Sequence, residues 1–328
     1  MPHSTQEHSE NATIAVVWDF DKTLINGDMQ EPLFNHYNID KNDFWKEVNG
    51  LTQHYKNQNV PRVLADTIYL NHMITYAQQG IFKDLGNKKI ASFAPQISQT
   101  PGYFNGVEGT DNIFDYCKNF VKETCADSWV NIELEHYVVS TGLQEILDNC
   151  SIREHFKTVW GCTFIEEAAK PGYLTEEAPT DAEPIISQVA YAIDNTSKTR
   201  CIFEINKGSN VKNVGVNDSI LETQRRIPFK NMIYIADGPS DIPVFSLVNE
   251  KGGSTLAVWR EGNQAFYENA KEKLSDTGRV NHFCKADYSA GSDARMWLTS
   301  ELKHIAKNII EEKNTILEQG KVAALSHG

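Results

Sequence analysis

Short runs of apolar, β-branched and aromatic residues recur along this chain between longer stretches of helical spacing. They cover residues 14–18, 136–139, 157–164, 189–193, 232–236, 254–259 and 279–284. Several lack polar alternation, as expected for strands covered on both faces. Strands alternating with helices predict an α/β fold with a largely parallel sheet. Between the strands, Ile113, Phe114, Cys117, Phe120 and Val121 recur at helical spacing and line one face. A last helix is expected over roughly 294–317, with its apolar side packed on the sheet.

One stretch breaks the alternation. From about residue 31 to 97 the spacing is helical and no strand is evident, which predicts an inserted helical module. Within it, Val63, Leu64, Ile68, Leu70, Met73, Ile74 and Ala77 follow Pro61, which suits a first helical turn. Residues 100–109, with Pro101, Gly102, Gly106 and Gly109, read as a hinge back to the sheet. The expected division is therefore 1–27 with 107–328 as a core and 28–106 as an insertion.

Composition narrows the function classes. Thirty-one Lys and Arg against 44 Asp and Glu give a formal net charge of −13, a field that repels nucleic acid. The longest apolar runs are five residues, far short of the ~20 a membrane helix needs, so a soluble protein is expected. Its six cysteines form no CxxC pair and read as buried thiols, with zinc a remote alternative. The first dozen residues contain no Lys or Arg and no apolar segment, unlike a secretory signal, so the cytoplasm is the expected location.

Candidate chemistry gathers where the strands end. The first closes in Asp19, Phe20, Asp21, Lys22 and Thr23. Carboxyl ends of parallel strands are where α/β sheets bind ligands, and strand periodicity would turn Asp19 and Asp21 to one side, where one can attack and the other move a proton. The alternative is a turn with an Asx cap. A second strand ends in Ser140, Thr141 and Gly142, either a hydroxyl and backbone N–H cradle for phosphate or an ordinary helix N-cap. Lys198 follows the 189–193 strand and can neutralise a phosphoryl oxygen or steady a carboxylate, unless it is a solvated surface lysine. The 232–236 strand ends in Asp237, Gly238, Pro239, Ser240 and Asp241, which would complete an oxygen-rich site suited to magnesium. Cysteine and histidine are absent there, which disfavours zinc. Arg225 and Arg226 either reach an anionic substrate or form a solvated patch.

Taken together, these endings resemble the four motifs of a haloacid dehalogenase (HAD) superfamily hydrolase: Asp19-Phe20-Asp21-Lys22-Thr23, Ser140-Thr141-Gly142, Lys198, and Asp237-Gly238-Pro239-Ser240-Asp241. The resemblance implies a doubly wound, mostly parallel, Rossmann-like core with an inserted all-helical cap, the cap being similar to that of the phosphoserine-phosphatase-like branch. The segment 156–174, with its Pro171-Gly172 turn, also resembles the strand pair that branch carries. By motif, Asp19 would be the nucleophile forming an aspartyl-phosphate and Asp21 the general acid and base. Asp19, the Asp21 carbonyl and Asp237 would hold Mg2+, and Ser140, Thr141, Gly142 and Lys198 would bind phosphate. Asp241 would be a further ligand or a support to the others, and Thr23 a support. The third motif is the loosest match, and Lys207 is the alternative lysine. Asp28 stands where phosphoserine-phosphatase-like enzymes carry an acid facing the substrate's amino group, although with Glu31 it also has capping-box spacing. The implied activity is hydrolysis of a small phosphorylated metabolite. A phosphotransferase or mutase, or a non-catalytic phosphate-binding protein, are the alternatives.

Overall fold

β-branched and aromatic runs become strands here, several of them with both faces covered. In chain order the elements are β1 (Glu10–Trp18), α1 (Glu31–His36), α2 (Lys41–Asn57), α3 (Ile68–Gln78), α4 (Asn87–Ala91), α5 (Ile113–Thr124), β2 (Val130–Leu143), α6 (Gln144–Asn149), β3 (Phe156–Ile165), β4 (Gln188–Tyr191), α7 (Asn195–Lys207), β5 (Met232–Ala236), α8 (Ile242–Glu250), β6 (Ser254–Trp259), β7 (His282–Lys285) and α9 (Asp293–Ser326). The computed structural model describes residues 10–97, 112–175, 184–260, 267–268, 271–275 and 277–326. Two compact units are present, one of residues 1–18, 100–137 and 202–328, the other of 19–99 and 138–201. The expected hinge over 100–109 and the insertion boundary at 106 lie outside the described residues.

In the first unit β1, β5, β6 and β7 are neighbours in that order, each pair parallel. This is the α/β, mostly parallel class that the alternation predicts. Trp18 pairs with Ile235, so β1 and β5 end at the same edge and the chain leaves them at Asp19 and Asp237. Trp18 is fully buried. Its ring meets Phe114 and Tyr288 edge-on at 5.8 and 5.3 Å, and its Nε1–H donates to His136 Nδ1 at 3.2 Å. The residue before Asp19 is thereby fixed on several sides. Helix α5 is capped by Asn112, whose side chain accepts from the Asp115 N–H, and buries Ile113, Phe114, Cys117 and Val121. Along α9 the buried residues Ala294, Leu298, Leu302, Ile305, Ala306 and Ile309 follow one stripe, as the helical spacing predicts.

Arg226 is no part of a solvated patch. Its guanidinium binds both oxygens of the buried Glu135, at 2.6 and 2.7 Å, and donates to Tyr137 Oη at 3.0 Å. This fork accounts for an ion pair in the interior, where single-point contacts would leave a carboxylate oxygen unmet.

The second unit holds α1 to α4, α6, β3 and β4, together with the last residues of β2 and the first of α7. Residues 28–97 contain helices and no strand, as the 3.6-residue spacing predicts. Their core is aromatic: Phe34, Phe44, Tyr76 and Phe82 pack with ring centroids 4.7–6.3 Å apart. Pro61, however, begins no helix. Residues 60–67 are irregular, Leu64 is 64% exposed, and α3 starts only at Ile68. The 156–174 segment supplies one strand, not two. The antiparallel partner of β3 is β4, and a single helical turn, Tyr173–Thr175, follows Pro171-Gly172. No helix among the described residues is long and apolar enough to cross a membrane.

Candidate active site

Strand β1 ends at Trp18, so Asp19 and Asp21 are oriented by a turn and not by strand periodicity. The Phe20 carbonyl accepts from the N–H groups of Thr23, Leu24 and Ile25, and Lys22 takes a left-handed φ of 57°. That conformation is uncommon for a residue with a side chain, and it lets the chain double back so that Asp21 Oδ1 accepts the Met29 N–H at 2.9 Å.

Asp19 is 5% exposed and Lys198 1%. Lys198 Nζ lies 2.9 Å from Asp19 Oδ1, and Thr23 Oγ1 reaches Oδ2 at 3.5 Å. The two motif residues, 179 positions apart, thus form a buried ion pair. Asp194 governs where Lys198 sits. Its carboxylate accepts from the N–H groups of Thr196 and Ser197 at 2.9 and 2.6 Å, capping α7, and Lys198 follows within the first turn. Burial pushes the Asp194 carboxyl up, but the bonds from Ser197 and Thr196 outweigh it and leave its pKa lowered. Lys207 is held elsewhere, donating to the carbonyls of Val216 and Asp218 at 2.6 and 2.8 Å.

The surroundings of Asp21 shift its titration. Burial raises its pKa well above the usual carboxylate range, and Asp28 and Asp19 add to the effect while Lys22 opposes it. An acid held protonated is one that can donate a proton. Asp28 itself is ion-paired with Lys22. It does not cap α1, whose N-cap position is Gln30 with no side-chain bond, although Glu31 Oε1 does accept the Asp28 N–H at 3.5 Å.

The second motif lies within β2, which runs on to Leu143, and neither Ser140 nor Thr141 caps a helix. Ser140 Oγ accepts the Gly142 N–H at 3.0 Å. A Cβ at Gly142 would sit 2.2 Å from Met29 Cε, so a larger residue there would have to displace the Met29 side chain. The Thr141 carbonyl accepts from Tyr69 Oη at 2.6 Å, which ties α3 to the motif.

In the other unit, Asp237 follows β5 and is 9% exposed, and Asp241 is fully buried. Both Asp241 oxygens accept hydrogen bonds, from Tyr234 Oη and from Ser240 Oγ, the latter at 2.8 Å. These bonds hold the turn after β5.

Three contributors escape a motif reading. Asp194 is hidden by looking like an ordinary cap, and Tyr69 by its place in a helical core. Gln30 is 3% exposed, and its Oε1 is buried with no hydrogen-bond partner among the described residues. A buried acceptor beside Met29 is a feature only packing reveals.

No family model matches the chain. It is similar to solved structures that include a substrate-bound phosphoserine phosphatase complex, at 13% identity and TM-score 0.49, covering 89% of this chain and 99% of that one. A phospho-aspartyl intermediate analogue of phosphoserine phosphatase gives 14% and 0.47, covering 88% and 99%. A HAD family hydrolase from Salmonella enterica subsp. enterica serovar Typhi gives 11% and 0.45, covering 84% and 68%. An uncharacterized protein of Borreliella burgdorferi is 36% identical over 292 residues, 88% of this chain and 96% of its own. Identity of that size over nearly the whole of both chains makes this chain a member of the same family as the Borreliella burgdorferi protein.

Proposed function

We propose that this chain is a HAD-type, magnesium-dependent phosphatase that hydrolyses a small phosphomonoester through an aspartyl-phosphate on Asp19. The buried Lys198–Asp19 pair carries the reading. Taking two charges out of water costs several kcal/mol per ion, and such pairs are poor stabilisers compared with apolar packing. A carboxylate held this way in the turn that follows a parallel strand is better explained by chemistry.

In the proposed reaction an Asp19 carboxylate oxygen attacks phosphorus as the ester P–O bond breaks, and the Asp21 carboxyl gives its proton to the departing alkoxide. Water then attacks the aspartyl-phosphate while Asp21, now ionised, takes its proton, releasing phosphate and restoring both acids. Lys198 orients Asp19 and offsets phosphoryl charge, and the Ser140 hydroxyl, whose oxygen takes the Gly142 N–H, offers its proton as a further donor. The donor set suits magnesium: Asp19, the Asp21 carbonyl and Asp237 supply only oxygen. Bound magnesium would neutralise charge on the phosphoryl oxygens.

A panel of phosphomonoesters assayed with magnesium tests the reading. Turnover should vanish in excess chelator and return with magnesium, and calcium should suppress it, because the larger ion accepts more oxygens and can engage both oxygens of Asp19. Full turnover after metal removal would overturn the magnesium requirement.

Asp28 offers a second check. In Asp28→Asn the Asp21 carboxyl loses a neighbour that raises its pKa, and Lys22, released from its ion pair, pulls the same way. Proton donation by Asp21 is lost as pH rises through its pKa, so the alkaline limb of kcat/KM should move to lower pH. If Asp28 also meets a substrate amine, kcat/KM should fall more for amine-bearing phosphoesters than for neutral ones. An unmoved limb, with equal losses of kcat/KM for both classes or none, would remove Asp28 from both roles.

A further inference from the structure

We propose that His282, Cys284 and Asp293 form a binding site for a zinc-class transition metal, separate from the proposed phosphatase site. All three belong to the first unit. His282 and Cys284 are two residues apart in β7, so their side chains leave the same face of the strand. Asp293 is the first residue of α9. One ligand atom from each lies within 4.8 Å of the other two. Ligands around zinc at ~2.0–2.3 Å stand about 3.3–3.8 Å apart, so a small adjustment closes the set.

The local structure prepares these groups for a metal. The His282 ring stacks on Trp297, centroids 5.8 Å apart and planes within 6°, which fixes its orientation. Its Nε2 already lies 3.1 Å from Asp293 Oδ1. Asp293 is not needed to cap α9, because the Arg295 N–H is met by Ser292 Oγ at 3.3 Å. Cys284 is 4% exposed, whereas the His282 and Asp293 side chains are 32% and 61% exposed. The thiol forms the floor and the other two the rim, leaving a path for the ion and an open coordination position.

The donor chemistry selects the metal. One thiol, one imidazole and one carboxylate suit zinc or cobalt, whereas magnesium avoids sulfur. Three protein ligands leave a fourth position to water. Binding displaces the thiol proton, and it ties the start of α9 to the edge strand β7, so the metal should stabilise the folded chain.

The test uses the full-length protein, stripped of metal and titrated with Co2+. Cobalt should produce a thiolate-to-metal charge-transfer band in the near ultraviolet together with visible ligand-field bands, all abolished by one equivalent of Zn2+. Zn2+ alone should raise Tm. In Cys284→Ser the charge-transfer band should disappear, and in His282→Gln and Asp293→Asn cobalt affinity should fall at least about tenfold. Asp19→Asn should leave the band intact, which separates this site from the proposed catalytic one. Absence of the band in the metal-stripped wild-type chain, or its persistence in Cys284→Ser, overturns the proposal.

Discussion

Asp19→Asn is expected to lower phosphatase turnover by roughly 10⁴-fold or more, the scale seen when a covalent nucleophile is removed. The amide is nearly isosteric with the carboxylate but cannot attack phosphorus, so the loss is chemical. The fold should survive with a measurable penalty. Lys198 Nζ bonds Asp19 Oδ1 in a buried setting, and the Asn carbonyl still accepts that bond while no longer balancing the charge. A cost of about 1–3 kcal/mol is expected, as for a buried group left partly unmet. The double variant Asp19→Asn with Lys198→Met should recover much of that stability and none of the turnover, since the stranded charge is then gone. Covalent label should appear on the wild-type chain after quenching with labelled substrate and be absent from Asp19→Asn. Near-normal turnover in the single variant would exclude the covalent route.

Residue patterns made much of this fold legible, and the exceptions have physical causes. Strands β5 and β6 coincide with the runs that predict them because their central residues are buried on both faces. Strand β2 is longer than its apolar run: Val130, Ile132 and Leu134 are buried while Asn131 and Glu133 are exposed, a half-buried alternation leading into a fully buried segment. The reading of Arg226 misses for another reason. Its partner Glu135 is 91 positions away, and no local pattern distinguishes a solvated arginine from one forked onto a distant carboxylate. The candidate site residues are chosen from strand endings, which carry no information on what supports them. That Asp21 is held by the Met29 N–H, or that Gly142 clears Met29, follows from how the chain turns after Trp18.

The choice between Lys198 and Lys207 yields the other large effect. Lys198→Met leaves the Asp19 carboxylate buried without its ammonium, and breaking a buried pair from one side costs about 3–5 kcal/mol. Turnover should fall roughly 10²- to 10³-fold, as when one donor to developing charge is lost. Lys198→Arg should rescue little, because a planar guanidinium does not fit a slot shaped for an ammonium that is 1% exposed. If magnesium binds Asp19, the metal supplies the missing positive charge, and the stability deficit of Lys198→Met should shrink as magnesium is added. Lys207→Met loses only bonds to the Val216 and Asp218 carbonyls, so it should loosen that loop and leave kcat within about twofold of wild type, a surface change touching no reacting atom. Thermal melts with and without magnesium, paired with kcat for each variant, separate the two lysines. A Lys207→Met chain as inactive as Lys198→Met would mean that the ion pair at Asp19 is structural and that the phosphate-binding cation lies elsewhere.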